Sequence, residues 1–148
     1  MEIKDKVYCN AIGVYSGQLT KRKSYIIEGI DSVSGNIRVC NDENKLKWYS
    51  KFYFSLNNEP EIVSIHTDDE ILDDELEAIE VTVKFSNNDK YWLVFITPKY
   101  LDEILNRETY FSIRHFIIIK KLNEDSIRST IYKLDEQNEL IKNCRKYE

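Results

Sequence analysis

Eight carboxylates, Asp68, Asp69, Glu70, Asp73, Asp74, Glu75, Glu77 and Glu80, fall within thirteen positions that hold no lysine or arginine. Such a block repels itself and gains by meeting a basic surface, so the chemistry it offers is electrostatic steering of a cationic partner such as a nuclease active site. The same residues also read as a solvated loop that keeps the chain soluble. A calcium loop fits poorly, because the central glycine and alternating ligands of an EF-hand are missing. The two histidines stand apart from each other. His66 precedes Asp68 and Asp69, and His115 follows Arg114. Either can serve as an acid–base group, and a surface or hydrogen-bonded structural role suits an isolated imidazole as well. No glycine occurs after Gly35, which leaves the larger part without a phosphate loop or a dinucleotide fingerprint, and neither GxSxG nor HExxH is present. The chain is read as a non-enzyme, with no catalytic, cofactor-binding or metal-ligating residue assigned.

Aromatic residues make the second candidate. Tyr15, Tyr25, Trp48, Tyr49, Phe52, Tyr53 and Phe54 lie among Lys21, Arg22, Lys23, Lys45, Lys47 and Lys51, a composition that suits a peptide groove or a base-stacking surface. Part of the group must be core. Strict alternation places Trp48, Phe52 and Phe54 on one side and Tyr49 and Tyr53 on the other, so Tyr49 and Tyr53 are expected to be available to a partner. The net charge of −5 argues against nucleic acid as that partner. Tyr91 and Trp92 fall on opposite faces of one strand, which leaves one of them as an interface anchor.

Elements to position these residues follow from periodicity. Ile79, Val81, Val83 and Phe85 alternate with polar residues, Ser86-Asn87-Asn88-Asp89 supplies turn chemistry, and Lys90 to Ile96 is apolar-rich, which predicts a hairpin. Thr97 as cap and Pro98 at the first position then predict a helix carrying Tyr100, Leu101, Ile104 and Leu105. Phe116 to Ile119 reads as a central strand covered on both faces, joined in parallel to the strand before that helix. A last helix opens at Asn123 with Glu124 and Asp125 in its first turn. Its expected stripe is Ile127, Ile131, Leu134, Ile141 and Cys144, interrupted by Asn138, and Lys142, Arg145 and Lys146 are expected in its last turn. Short strands are expected at Val7 to Ile12, Tyr25 to Ile30, Asn36 to Asn41 and Leu46 to Phe54, the last breaking near Ser50.

The chain has 148 residues, enough for one ordinary domain or two very small ones. Residues 1–56 hold nine Lys/Arg against six Asp/Glu, and residues 57–148 hold twelve against twenty, so the parts are net +3 and net −8. That asymmetry, with Asn57-Asn58-Glu59-Pro60 as a linker, suggests modules at 1–56 and 61–148. No apolar run approaches the roughly 20 residues of a membrane span, and the first residues lack a signal-peptide core, so a cytoplasmic protein is expected. Cys9, Cys40 and Cys144 show neither CxxC nor CxH spacing and read as buried free thiols.

Residues 1–56 resemble the SH3-like β-barrels of small bacterial proteins, through Leu19, Thr20, Lys23 and Tyr25 before the second strand, the Asn41-Asp42 turn, and Trp48, Tyr49 and Phe52 after it. Arg22 departs from that pattern, which usually has glycine before the lysine. From Glu61 onward the chain is similar to small α+β immunity proteins of bacterial polymorphic-toxin systems, through Ser64-Ile65-His66, the acidic stretch, the hairpin and Thr97-Pro98-Lys99-Tyr100-Leu101. The resemblance implies binding and neutralising a cognate toxin without supplying a site.

The expected architecture is therefore α+β: an SH3-like barrel, then a four-stranded, mostly antiparallel sheet with two helices on one face. The expected function is stoichiometric occlusion of a basic toxin domain. Its candidate partner-binding residues are Asp68, Asp69, Glu70, Asp73, Asp74, Glu75, Tyr91, Trp92, Tyr49 and Tyr53. The alternative is a regulatory or phage-borne adaptor whose barrel takes a peptide or nucleic acid. No cofactor and no membrane partner is expected.

Overall fold

In the first part of the chain, glycine and polar turns cut apolar alternation into short strands. The computed structural model describes Met1 to Glu148 and shows β1 (Lys6–Cys9), β2 (Ser24–Ile30), β3 (Ile37–Cys40), β4 (Leu46–Tyr49) and β5 (Phe54–Ser55) there. They form one antiparallel sheet in the order β4, β3, β2, β1, β5. Its core holds Val7, Cys9, Leu19, Tyr25, Ile27, Ile37, Val39, Tyr49 and Phe54. The expected break at Ser50 is present. The Ser50 hydroxyl accepts the Phe52 amide and opens a 3-10 turn at Lys51–Tyr53. That turn carries the chain away from β4, and the two residues of β5 pair with Tyr8 and Cys9. β4 and β5 are therefore unpaired edges, and the closed barrel expected from the sequence is an open five-stranded sheet.

Two positions in this unit adopt left-handed backbone for different reasons. Gly13 has φ +57°, and a Cβ built there would lie 2.6 Å from the Tyr53 ring, so both torsion and space demand glycine. Arg22 has φ +65°, a region that costs an L-residue about 1–2 kcal/mol. The departure from the glycine pattern is explained by its side chain. The guanidinium donates from both terminal nitrogens to the two oxygens of Asp135, at 2.6 and 3.0 Å, and both side chains are largely buried. A fork-on-fork pair of this kind is among the stronger ionic contacts. The chain accepts backbone strain to place it.

The second unit comprises Pro60–Leu134 and Glu139–Glu148, whereas Asp135–Asn138 group with Met1–Glu59. It contains β6 (Ile62–Thr67), β7 (Ala78–Phe85), β8 (Lys90–Ile96), α1 (Pro98–Arg107), β9 (Phe116–Ile118), most of α2 (Glu124–Glu136) and β10 (Arg145–Lys146). The hairpin, the Thr97 cap with Pro98 at the helix start, and the Asn123 cap on Ser126 are as expected. β9 lies parallel to β8, also as expected. Ile79, Val81, Val83 and Phe85 of β7 join Leu93 and Phe95 of β8 and Ile127 and Ile131 of α2 in the core. α1 buries no residue completely and is absent from that core, so the expectation of two helices packed on this face gives way to one.

Three further expectations are corrected. The sheet has five strands, because residues expected at the end of the last helix form β10. Asn138, at φ +58°, ends α2: its amide bonds to the Asp135 carbonyl and the Glu139 amide bonds back to Leu134, a Schellman cap built on asparagine. β9 is not central. It shares one edge of β8 with β10, opposite Val94 to Ile96, while β10 lies opposite Tyr91 and Trp92, and Ile118 is 52% exposed. Of the three thiols, Cys9 and Cys144 are buried and Cys40 is exposed. Burial pushes the Cys9 thiol up to about 11 and the Cys144 thiol up to about 12. No helix is long and apolar enough to cross a membrane.

Arg22→Gly relieves the left-handed backbone yet strands the Asp135 carboxylate, and breaking a buried pair costs about 3–5 kcal/mol. Urea denaturation should show a net loss of about 2 kcal/mol after the relief is counted. Adding Asp135→Asn should restore part of it.

Candidate functional site

Because β7 buries every second residue, its other face carries Glu80, Thr82 and Lys84. Strand register sets further side chains beside them. His66 lies opposite Thr82, Thr82 opposite Trp92, and Trp92 opposite Arg145, a row across β6, β7, β8 and β10. The Trp92 ring is flanked by the His115 ring at 6.1 Å and the Arg145 guanidinium at 5.9 Å. The Thr82 hydroxyl donates to Asp68 at 3.3 Å and lies 3.0 Å from the Tyr147 hydroxyl. Burial, followed by the neighbouring Asp68, raises the Glu80 carboxyl above its ordinary range. Trp92 is half-buried in this surface. Tyr91, on the opposite face, packs edge-on against Phe85 in the core rim.

The acidic stretch divides by role. Glu77 accepts the amides of Leu72 and Asp73, and Asp73 accepts those of Glu75 and Leu76, so these two carboxylates shape the loop. Glu75 pairs with Lys99 and, at 3.5 Å, with Lys121, which also lies 3.8 Å from Asp74. The Lys99 ammonium holds the Glu75 carboxyl below its ordinary range. Asp68, Asp69 and Glu70 are exposed and form no ion pair. No three His, Cys, Asp or Glu side chains are gathered in a way that could hold a metal ion.

In the first unit, the residues that carry the SH3-like pattern meet one another. Asp42 accepts from Thr20, Lys23 and Tyr25 at 2.6, 2.6 and 3.0 Å. Burial alone would raise its carboxyl, but these donors hold it below the ordinary range. Asn41 donates to the Tyr49 hydroxyl, which donates in turn to Gln18. Tyr49 is 1% exposed and is removed from the partner-binding candidates. Tyr53 is half-buried against Tyr15, with ring centroids 5.3 Å apart, and under Gly13. Alternation grouped Trp48 with Phe52 and Tyr49 with Tyr53 as found, but the core lies on the tyrosine side, and the 3-10 turn brings Phe54 to that side as well. Trp48 and Phe52 are exposed instead.

Sequence reasoning found His66, Trp92 and the acidic loop but missed Thr82, Arg145 and Tyr147 as their neighbours. Asn138 was the available signal, since a residue that readily turns left-handed in the middle of an apolar stripe is a helix stop.

Glu80 carries the pH dependence of this surface. A carboxyl raised in the fold stabilises below its ordinary range and loses that contribution as pH rises through the raised value. Glu80→Gln should therefore raise the urea midpoint at neutral pH and leave it unchanged in acid below the ordinary carboxylate range. No family model, curated protein or solved structure matches this chain.

Proposed function

We propose that the chain is a non-enzymatic binding protein, an immunity protein that neutralises a basic toxin domain by stoichiometric occlusion. The observation that carries this reading is the exposed Asp68, Asp69 and Glu70 run, which no lysine or arginine of the chain neutralises, beside the Trp92 face. Unpaired exposed carboxylates raise the rate of encounter with a cation-rich surface, and a partly buried tryptophan between a guanidinium and an imidazole supplies an anchor. Binding needs no bond chemistry. The first unit serves as an SH3-like module. Its strand order and the one-turn 3-10 segment ahead of β5 support that likeness. The protein acts in the cytoplasm, where a toxin that has entered the cell meets its target.

A second reading, an adaptor that captures a peptide through the first sheet, is favoured by one observation. Trp48 and Phe52 are 47% and 81% exposed, and Trp48 stands on the edge strand β4 beside Arg38.

The immunity reading expects a toxin domain encoded next to the gene, and that domain is the reagent that separates the two. Co-expression should restore growth, and the triple variant Asp68→Asn, Asp69→Asn, Glu70→Gln should slow association at low salt by about tenfold while thermal unfolding stays unchanged. An unchanged on-rate removes the steering role. Trp48→Ala with Phe52→Ala should leave neutralisation intact, and its loss would move the function to the adaptor reading.

A further inference from the structure

We propose that β6 is a docking edge that takes an extended, lysine- or arginine-rich segment of a partner as an additional strand. β6 ends the second sheet and pairs with β7 alone. Its sequence, Ile62-Val63-Ser64-Ile65-His66-Thr67, holds no proline, lysine or carboxylate, the residues by which exposed edges are usually blocked. The Asp68 amide bonds to the Glu80 carbonyl. By the alternation of an antiparallel ladder, Ser64 and His66 therefore also face β7, and the amides and carbonyls of Ile65 and Thr67 point outward.

An added strand would find a side-chain site beside it. A small cavity of about 100 Å³ lies between β6 and α2, lined by Ile65, His66, Thr67, Glu124, Ile127 and Arg128. Ile65 and Ile127 give it an apolar part that suits one aliphatic side chain. This pairing of open edge and adjacent helix is the geometry of strand addition, in which main-chain bonds supply affinity and alternate side chains supply specificity. Charge selects the occupant. Glu61, Asp68, Asp69, Glu70 and Glu124 are all exposed around this edge, and Arg128 is the single cation lining the cavity. A second copy of the chain is disfavoured, because antiparallel self-pairing about Ile65, which matches outward-facing residues, sets Glu61 against Asp69.

The inference rests on the immunity reading only for the sign of the partner's charge, and its test uses no toxin. The probe is a fluorescein-labelled ten-residue peptide of alternating lysine and valine, compared with the same peptide N-methylated at every residue so that neither edge keeps a donor. Both carry the same charge, and only the first can donate the ladder bonds. The first should bind the full chain at low salt about tenfold more tightly and slow hydrogen exchange at Ile65 and Thr67. Asp69→Lys with Glu124→Lys should weaken it by a similar factor. Equal binding of the two peptides, no binding of either, or unchanged exchange at Ile65 and Thr67 overturns the proposal. A toxin domain that still binds with a carboxylate-dependent rate would then leave the immunity reading standing alone. If a second copy occupies the edge, the protein alone should sediment as a dimer and exclude the peptide, which also overturns it.

Discussion

The strict alternation of β7 is the constraint on which the second unit depends. Ile79, Val81, Val83 and Phe85 are at most 3% exposed, and a slip of one residue would turn all four to water and set Glu80, Thr82 and Lys84 against α2. Burying four such side chains is worth about 1.5–3 kcal/mol each relative to exposing them, far more than any surface ion pair on the same sheet can oppose. Register is thereby fixed from the core side. The other face inherits its order from it: His66, Thr82, Trp92 and Arg145 meet in a row because the core face leaves no other pairing.

The first unit solves a different problem. Its strands are short and its sheet stays open, so polar links across the turns do much of the fastening. Asp42 joins Thr20, Lys23 and Tyr25, and Asn41 reaches Tyr49 and then Gln18. A buried carboxylate and amide are tolerated here because each finds several donors or acceptors, and a partly satisfied network would cost more than an apolar one. This explains why a sequence pattern spread over residues 19–52 belongs to a fold more than to an activity. Its members are partners of one another.

Legibility followed the physics of each signal. The β7–β8 hairpin and the starts of α1 and α2 could be read because alternation, turn residues and caps are local. Ser50 announced the break between β4 and β5 for the same reason. The end of α2 misled because Ile141 and Cys144 continue a helical stripe, yet after a left-handed turn at Asn138 Leu140 and Cys144 reach the core and Ile141 is exposed. β9 misled because a run of isoleucines describes hydrophobicity and says nothing of neighbours; β8 offers one edge to both β9 and β10. Arg22 was visible as an odd residue, and its cause, Asp135, lies 113 positions away.

The acidic stretch shows why counting charges overstates a site. Of its eight carboxylates, Asp73 and Glu77 are occupied by backbone amides, and Asp74 and Glu75 face Lys121, with Lys99 also on Glu75. Burial, and after it the neighbouring Asp68, raises Glu80. A carboxylate already held by amides or an ammonium contributes little field at a distance, whereas an unpaired exposed one acts over about a Debye length, near 8 Å at physiological salt. In the proposed reading, steering concentrates at Asp68, Asp69 and Glu70, the residues that leave β6 directly. A cationic partner drawn to them would arrive at the open end of a strand and not at the middle of a loop, so that the electrostatic and main-chain parts of the proposed recognition would share one approach path.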